Sequence, residues 1–215
     1  ELQGDQAYLL RMARELDDAI LHLRFNEPNL GLWIFRSQGD PKLLRAHEDL
    51  LMQNANHWLA NEVRQYLKRI LKRVDVTSRS MIALIEHGSC FAGVLAELLF
   101  AVDRTYMMED EFENDPRPIA TITLSDDNFG MYQMANGLSR IATRFWGANH
   151  LIEDAQEKIG KPLEAAEAED LGLVTIILDD IDWEDELRIF AEERASYSPD
   201  AMTGMEANLR FVGPE

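Results

Sequence analysis

One stretch, residues 81–103, restricts the possible fold more than any other part of the 215-residue chain. It reads MIALIEHGSCFAGVLAELLFAVD: an apolar run, a turn with Gly and Ser, and a second apolar run that begins near Ala92. The first run is typical of a buried strand and the second of a helix. A sharp turn before a helix presents backbone N–H groups that favour negative charge. The stretch therefore predicts a strand–turn–helix unit whose amides suit an acyl oxygen.

A carboxylate, Glu97, interrupts the apolar residues of this predicted helix. Burial disfavours the charged form of a carboxyl group and raises its pKa, which suits a general acid or base near neutral pH. Two other interpretations stay open on the residues alone. Glu97 points to the polar side of the helix, or it pairs structurally with Arg104 or Arg140.

A second pair of carboxylates, Asp126 and Asp127, follows a predicted strand over 119–124. Catalytic groups collect at the carboxyl ends of parallel strands, so one of the two could share acid and base chemistry with Glu97 if the elements converge. The alternative role of this pair is to cap a turn.

Helical and strand patterns alternate along the rest of the chain. Apolar residues at helical spacing predict helices over 5–24, 41–52, 56–74, 136–146, 164–171, 183–195 and 201–211. Short apolar or β-branched runs predict strands over 32–35, 104–107, 119–124 and 173–178. Asp5 and Asp40 are predicted N-caps, and the acidic stretch 108–118 is predicted to be an exposed connection. The alternation indicates an α/β class with mainly parallel pairing.

One face of the predicted helix 56–74 is basic. It carries Arg64, Lys68, Arg69, Lys72 and Arg73. Two interpretations stay open: a solvated helix face, or a groove for the phosphates of a ligand tail.

The composition narrows the classes of partner. A net charge of −18, from 39 acidic and 21 basic residues, disfavours nucleic acid and anionic membranes as partners. No apolar run approaches the roughly 20 residues of a membrane span.

The five histidines lack metal-ligand spacing, so we predict no metal site. Cys90 is the one cysteine, which favours a reducing, cytoplasmic compartment. Its place near a helix N-terminus fits a packing residue or a thiol of lowered pKa.

Three segments, in order, carry a resemblance to the crotonase (enoyl-CoA hydratase/isomerase) superfamily. They are IALIEHGSCFAGVLAELLFAVD, LSDDNFGMYQMANGLSRIATRF and EAAEAEDLGLVT. Within the superfamily, five segments resemble the benzoyl-CoA-dihydrodiol lyases: SRSMIALIEHGSCFAG, DRTYMM, ITLSDDNFG, DDIDWEDELRI and SPDAMTGMEANLRF. The resemblance implies an enzyme that opens an epoxide or dihydrodiol of benzoyl-CoA with water, giving an open-chain semialdehyde CoA ester and formate.

The same resemblance implies roles for single residues. Glu97 matches the first catalytic glutamate, and the Val94 N–H, with Gly93 beside it, matches an oxyanion donor. Asp126 stands where a second catalytic carboxylate is expected. Two amides would hold the thioester carbonyl while two carboxylates move protons and direct water. No cofactor is implied, because CoA is part of the acyl-CoA substrate.

Departures from the superfamily pattern put this machinery in doubt. The loop after Phe35, FRSQGDPKLLRAH, lacks the residues expected to supply the second oxyanion amide. A triple glycine has become Gly93-Val94-Leu95, and the second glutamate has become Asp126. Loss of one oxyanion donor costs roughly 100- to 1,000-fold in rate, so the departures favour a half that supports catalysis elsewhere.

We therefore expect a crotonase-like spiral of β-β-α units with mainly parallel sheets over 1–180, followed by a C-terminal helical segment over 181–215. Because the chain begins at Glu1 rather than Met, we expect it to be a piece of a longer protein. The resemblance implies that this piece is the second, C-terminal half, with the first strands of the superfamily fold lying before Glu1. The expected partners are a benzoyl-CoA-derived substrate, the N-terminal crotonase-like half of the same protein, and a second copy in a homodimer. Two alternatives are a competent hydratase/isomerase-like domain that uses Glu97 and Asp126, and a non-catalytic assembly module.

Overall fold

The computed structural model describes residues 4–109 and 116–211. Its helices are α1 Tyr8–Phe25, α2 Pro41–Gln53, α3 Trp58–Asp75, α4 Ala96–Ala101, α5 Arg140–Arg144, α6 Asn149–Gln156, α7 Ala165–Asp170, α8 Asp180–Ala195 and α9 Pro199–Leu209. Its strands are β1 Leu32–Arg36, β2 Ser80–Ile85, β3 Phe91–Ala92, β4 Arg104–Met108, β5 Ile122–Thr123, β6 Pro162–Leu163 and β7 Ile176–Leu178. Short 3-10 turns cover Gly4–Gln6, Gly93–Leu95 and Asp126–Phe129.

Two sheets organise the fold. The larger has the order β1-β2-β4-β7, and all of its neighbouring strands are parallel. The smaller has the order β3-β5-β6, in which β3 and β5 are parallel and β5 and β6 antiparallel. Each parallel connection in the larger sheet needs a crossover, and the crossovers carry the helices. The predicted α/β class with mainly parallel pairing is confirmed.

The two faces of the larger sheet are covered by different helices. On one face lies the main core, to which α1, α3 and α4 contribute Ile20, Ile70 and Leu99. On the other face, Trp183 and Phe190 of α8 pack with a group made of Ile82, Leu84 and Tyr106. Helix α8 therefore covers the second face of the sheet. Whether 181–215 is a unit of its own stays a prediction.

The predicted caps and the predicted strand 119–124 agree with the structure only in part. Asp5 does not cap α1, because a 3-10 turn over Gly4–Gln6 precedes the helix and Ala7 is the cap residue. Asp40 does cap α2, since its side chain accepts from the Lys42 N–H at 2.8 Å. The predicted strand 119–124 pairs only over Ile122–Thr123, opposite the two residues of β3.

Other differences concern helices. The predicted helix 136–146 is helical only over Arg140–Arg144, where Ser139 accepts from the Ala142 N–H and so fixes the start. The helix after the 81–103 turn begins at Ala96 rather than near Ala92, because residues 91 and 92 form β3. Helix α6 was not predicted.

The acidic stretch 108–118 was predicted to be an exposed connection, and residues 110–115 of it lie outside the described residues.

Within the described part of the chain, no helix is both long enough and apolar enough to cross a membrane.

Candidate functional site

The turn that precedes α4 depends on Gly93. Its φ of +50° lies in the left-handed region that favours glycine. A Cβ added at this position would overlap the carboxylate of Glu48. Gly93 is therefore required both by the backbone of the turn and by the side chain that packs against it.

Glu48 of α2 hydrogen-bonds the backbone of this turn. The Val94 N–H donates to Glu48 Oε1 at 2.6 Å, and Arg45 Nη1 donates to Glu48 Oε2 at 3.1 Å. Glu48 is 3% exposed. The amide that the sequence predicts as an oxyanion donor thus already has a carboxylate acceptor from the same chain.

Burial dominates the ionisation of Glu48. Desolvation raises the pKa of Glu48 to about 7, although Arg45 and the Val94 N–H lower it and the charge of Asp127 raises it further. A buried carboxylate with one guanidinium and one amide as partners is a costly group that the fold nevertheless keeps in place.

Glu97 is fully buried, and both of its carboxylate oxygens accept hydrogen bonds. Asn128 Nδ2 donates to Oε1 at 2.7 Å, and Arg140 Nη1 donates to Oε2 at 2.8 Å. Arg140 also binds Asp75 through two bonds of 2.8 and 2.7 Å and donates to the carbonyl of Tyr132 at 2.6 Å. Of the interpretations open from the residues, the structure contains the pairing with Arg140.

Opposing effects set the charges in this cluster of Asp75, Glu97 and Arg140. Burial raises the pKa of Glu97 to about 7, and Arg140 and Asn128 act against it. Burial likewise raises the pKa of Asp75, again opposed by Arg140. The two carboxylates keep the pKa of Arg140 above its usual value despite burial. The guanidinium is therefore charged, and both acids depend on it.

The 3-10 turn after β5 sends its three polar residues in different directions. Asp126 is exposed, whereas Asp127 is half-buried and pairs with Arg64 of α3 at 3.1 Å. Asn128 is buried and donates both to Glu97 and, at 2.9 Å, to the Gly93 carbonyl. The structure thus brings Gly93, Val94 and Glu97 together but leaves Asp126 in solvent, outside the environment of Glu97.

Sequence reasoning missed two residues of this site, Glu48 and Asn128. Glu48 falls between the buried Leu44 and Leu51 of α2, at the spacing of one helix face. That spacing was a usable signal. Asn128 lies two residues after Asp126 and had no distinguishing pattern of its own.

The basic face of α3 is largely engaged by the protein. Arg64 pairs with Asp127, Lys68 donates to Gln133 at 3.3 Å, and Arg73 pairs with Asp17 at 3.2 Å. Both interpretations of this face, solvated surface and phosphate groove, stay predictions.

Cysteine and metal chemistry find little support at this site. Burial, with the charges of Asp40 and Glu48, raises the pKa of Cys90 to about 11, which favours packing over an activated thiol. Among the residues that the structure describes, no three His, Cys, Asp or Glu side chains form a group suited to a metal ion.

Comparison with known proteins supports the resemblance seen in the sequence. No family model matches the chain. The chain is 49% identical over 215 residues to benzoyl-CoA-dihydrodiol lyase of Aromatoleum evansii, covering all of this chain and 38% of that protein. The predicted resemblance to the benzoyl-CoA-dihydrodiol lyases is confirmed, and the chain spans less than two-fifths of this relative.

Solved structures define the fold. An enoyl-CoA hydratase/carnitine racemase from Magnetospirillum magneticum matches with a TM-score of 0.67 at 19% identity, over 96% of this chain and 73% of that one. An enoyl-CoA hydratase/isomerase from Marinobacter aquaeolei matches with a TM-score of 0.63 at 17% identity, over 95% and 74%. The chain has the crotonase fold. Within this crotonase fold, the segment after β1 runs directly into α2, the helix that carries Glu48.

Proposed function

We propose that this chain is the mainly structural, C-terminal crotonase-like half of a lyase that acts on a CoA thioester. The substrate would be an epoxide or dihydrodiol of benzoyl-CoA, opened with water to a semialdehyde CoA ester and formate. Likeness to benzoyl-CoA-dihydrodiol lyase supports the substrate class. Catalysis would take place chiefly in an N-terminal half, with CoA as part of the substrate and no further cofactor.

A single observation carries the structural role: Glu97 is fully buried, and both of its oxygens are engaged by Asn128 and Arg140. A general acid or base must come within hydrogen-bond reach of the proton it transfers. Because Glu97 is fully buried, a substrate proton could reach it only if the packing around it opened. Asp126 is exposed and apart from it. The cluster with Arg140 stabilises the fold in this proposal.

The proposal includes two levels of assembly and a location. The half would pack against the N-terminal half of the same protein, and the whole would form a cytoplasmic homodimer. The exposed aromatic residues Trp58 and Trp146, at 70% and 50% exposure, are candidates for such contacts. The exposure of Trp58 and Trp146 also favours the alternative function, a non-catalytic assembly module.

The test is ring cleavage by the full-length protein with Glu97→Gln and, separately, Asp126→Asn. We expect both variants to keep activity within a few-fold of wild type per folded molecule, because neither side chain would touch substrate. Asp126→Asn changes an exposed group and so carries little risk of misfolding. A loss of several orders of magnitude in folded Glu97→Gln protein would instead establish a competent hydratase/isomerase-like site in this half.

A further inference from the structure

The position of Glu48 follows from the helix that carries it. Leu44, Glu48 and Leu51 lie on one buried face of α2, and α2 packs against β3 and the 3-10 turn Gly93–Leu95. A glutamate at such a position is buried whether or not it finds partners. The turn before α4 supplies one partner, and Arg45 on the same helix supplies the other.

Two contacts fit the Glu48 carboxylate to this turn. One oxygen accepts the Val94 N–H at 2.6 Å, which is short for a bond from an amide nitrogen. The carboxylate also occupies the space that a side chain at residue 93 would fill, so it lies directly against Gly93. The missing side chain of Gly93 makes room for the carboxylate.

Charged side chains around Glu48 come from three elements. Arg45 of α2 pairs with Glu48 at 3.1 Å, and Asp127 of the turn after β5 lies near enough to disfavour the charge of Glu48. Burial, together with the charges of Glu48, Asp127 and Glu97, raises the pKa of Tyr132. Arg64 of α3 pairs with Asp127 and so moderates that repulsion. Any external acyl oxygen would need to displace an acceptor held by an ion pair and a short hydrogen bond.

We propose that Glu48 is an internal occupant of the oxyanion-type amide of this half, an autoinhibitory contact that excludes a thioester oxygen from the Val94 N–H. The inference rests on the proposed function and deepens it, because it names the group that closes the site. It concerns a different residue from Glu97, and its test can fail while the structural role stands.

Hydrogen exchange of the peptides that cover residues 91–99, in the full-length protein, tests the contact. In Glu48→Ala the buried Val94 N–H loses its acceptor, and we expect exchange to accelerate about tenfold or more. The substitution removes the equivalent of an acetate ion. Millimolar acetate should therefore restore protection in this variant, and sodium chloride at equal ionic strength should not.

Matched variants separate the contact from general loosening. Glu48→Gln keeps an acceptor oxygen, so acetate should leave its exchange unchanged. Asp49→Ala removes another partner of Arg45, at 3.7 Å, without touching the turn, and should behave as wild type. If Glu48→Ala does not fold, Glu48→Asp withdraws the carboxylate by one methylene and should show the same faster exchange at 91–99.

Wild-type protection in Glu48→Ala, or accelerated exchange that acetate does not reverse, would overturn the role of Glu48. A separate arm adds benzoyl-CoA to the wild-type protein, where exchange of 91–99 should stay unchanged. Protection by benzoyl-CoA there would overturn both the exclusion of a thioester oxygen by Glu48 and the proposed structural half, even if the acetate result upheld the Glu48–Val94 contact.

Discussion

Arg140 shows how a buried cation allows two acids to remain in an apolar core. Its guanidinium donates one hydrogen bond to each oxygen of Asp75 and a third to Glu97. A lysine has neither this planar geometry nor enough donors in the right directions. The three side chains come from α3, α4 and α5, so one residue ties three helices together.

Replacement of Arg140 by Met should be among the most destabilising single changes in the chain. It would leave Glu97 and Asp75 buried without their cation, and breaking a buried pair in this way costs about 3–5 kcal/mol. Urea denaturation of wild type and variant measures the difference in the free energy of unfolding.

Arg188→Met is the matched control. Arg188 pairs with Asp185 and Glu192 on the exposed side of α8, where such pairs are worth about 0–1 kcal/mol. A loss below about 1 kcal/mol for Arg140→Met as well would show that the buried cluster does not stabilise the fold.

The sequence supported only part of this residue-level picture. Burial of Glu97 and its pairing with Arg140 were both open interpretations, because leucine neighbours and a distant arginine are visible in the sequence. Glu48 was missed, because helical periodicity is read from apolar residues and a glutamate on the buried face appears as a gap. No pattern in one chain shows that the Glu48 carboxylate meets the Val94 N–H 46 residues later.

At the scale of elements, prediction succeeded where a segment carries its own signals. Helix α2 starts at a capping Asp40 followed by Pro41, and both are visible in the sequence. Strand β5 is shorter than its β-branched residues suggest because its partner β3 has only two residues, a tertiary limit that propensity does not contain. The crotonase fold itself was accessible through the ordered resemblance.

Helix α8 offers an internally controlled test of packing on the second face of the sheet. Phe190 is buried against Tyr106, with ring centroids 5.7 Å apart, and Phe190→Ala should cost about 3–5 kcal/mol of stability. The adjacent Ile189 is 52% exposed, so Ile189→Ala should change stability by no more than about 0.5 kcal/mol.

Thermal or urea unfolding of the two variants gives the comparison. Equal, small effects would mean that α8 covers the sheet without stabilising it, and that 181–215 is an appendage to the core.

At the scale of the whole molecule, acidity acts in two ways. Because the net charge is −18, negatively charged side chains on the surface repel one another and destabilise the compact state. Salt screens this repulsion. Separately, Glu48 and Glu97 are buried with pKa values raised from 4.5 to about 7. Salt screens buried groups much less, so the two contributions can be separated by experiment.

The sign of the pH dependence follows from the raised pKa values. Between the unfolded pKa of 4.5 and the folded pKa of about 7, the folded state binds more protons at Glu48 than the unfolded state does. The stability from this group is complete below the unfolded pKa and is lost as pH rises through the folded pKa. We therefore expect the free energy of unfolding to decrease from about pH 5 to pH 8.

Urea denaturation across that range, followed by tryptophan fluorescence, measures this decrease. Glu48→Gln cannot ionise at residue 48, so its free energy of unfolding should decrease less steeply than that of wild type. In about 1 M sodium chloride, where the Debye length is ~3 Å, wild type should keep most of the slope. A slope that vanished in salt and was unchanged by Glu48→Gln would assign the pH dependence to surface repulsion, since buried carboxyls would then contribute nothing measurable.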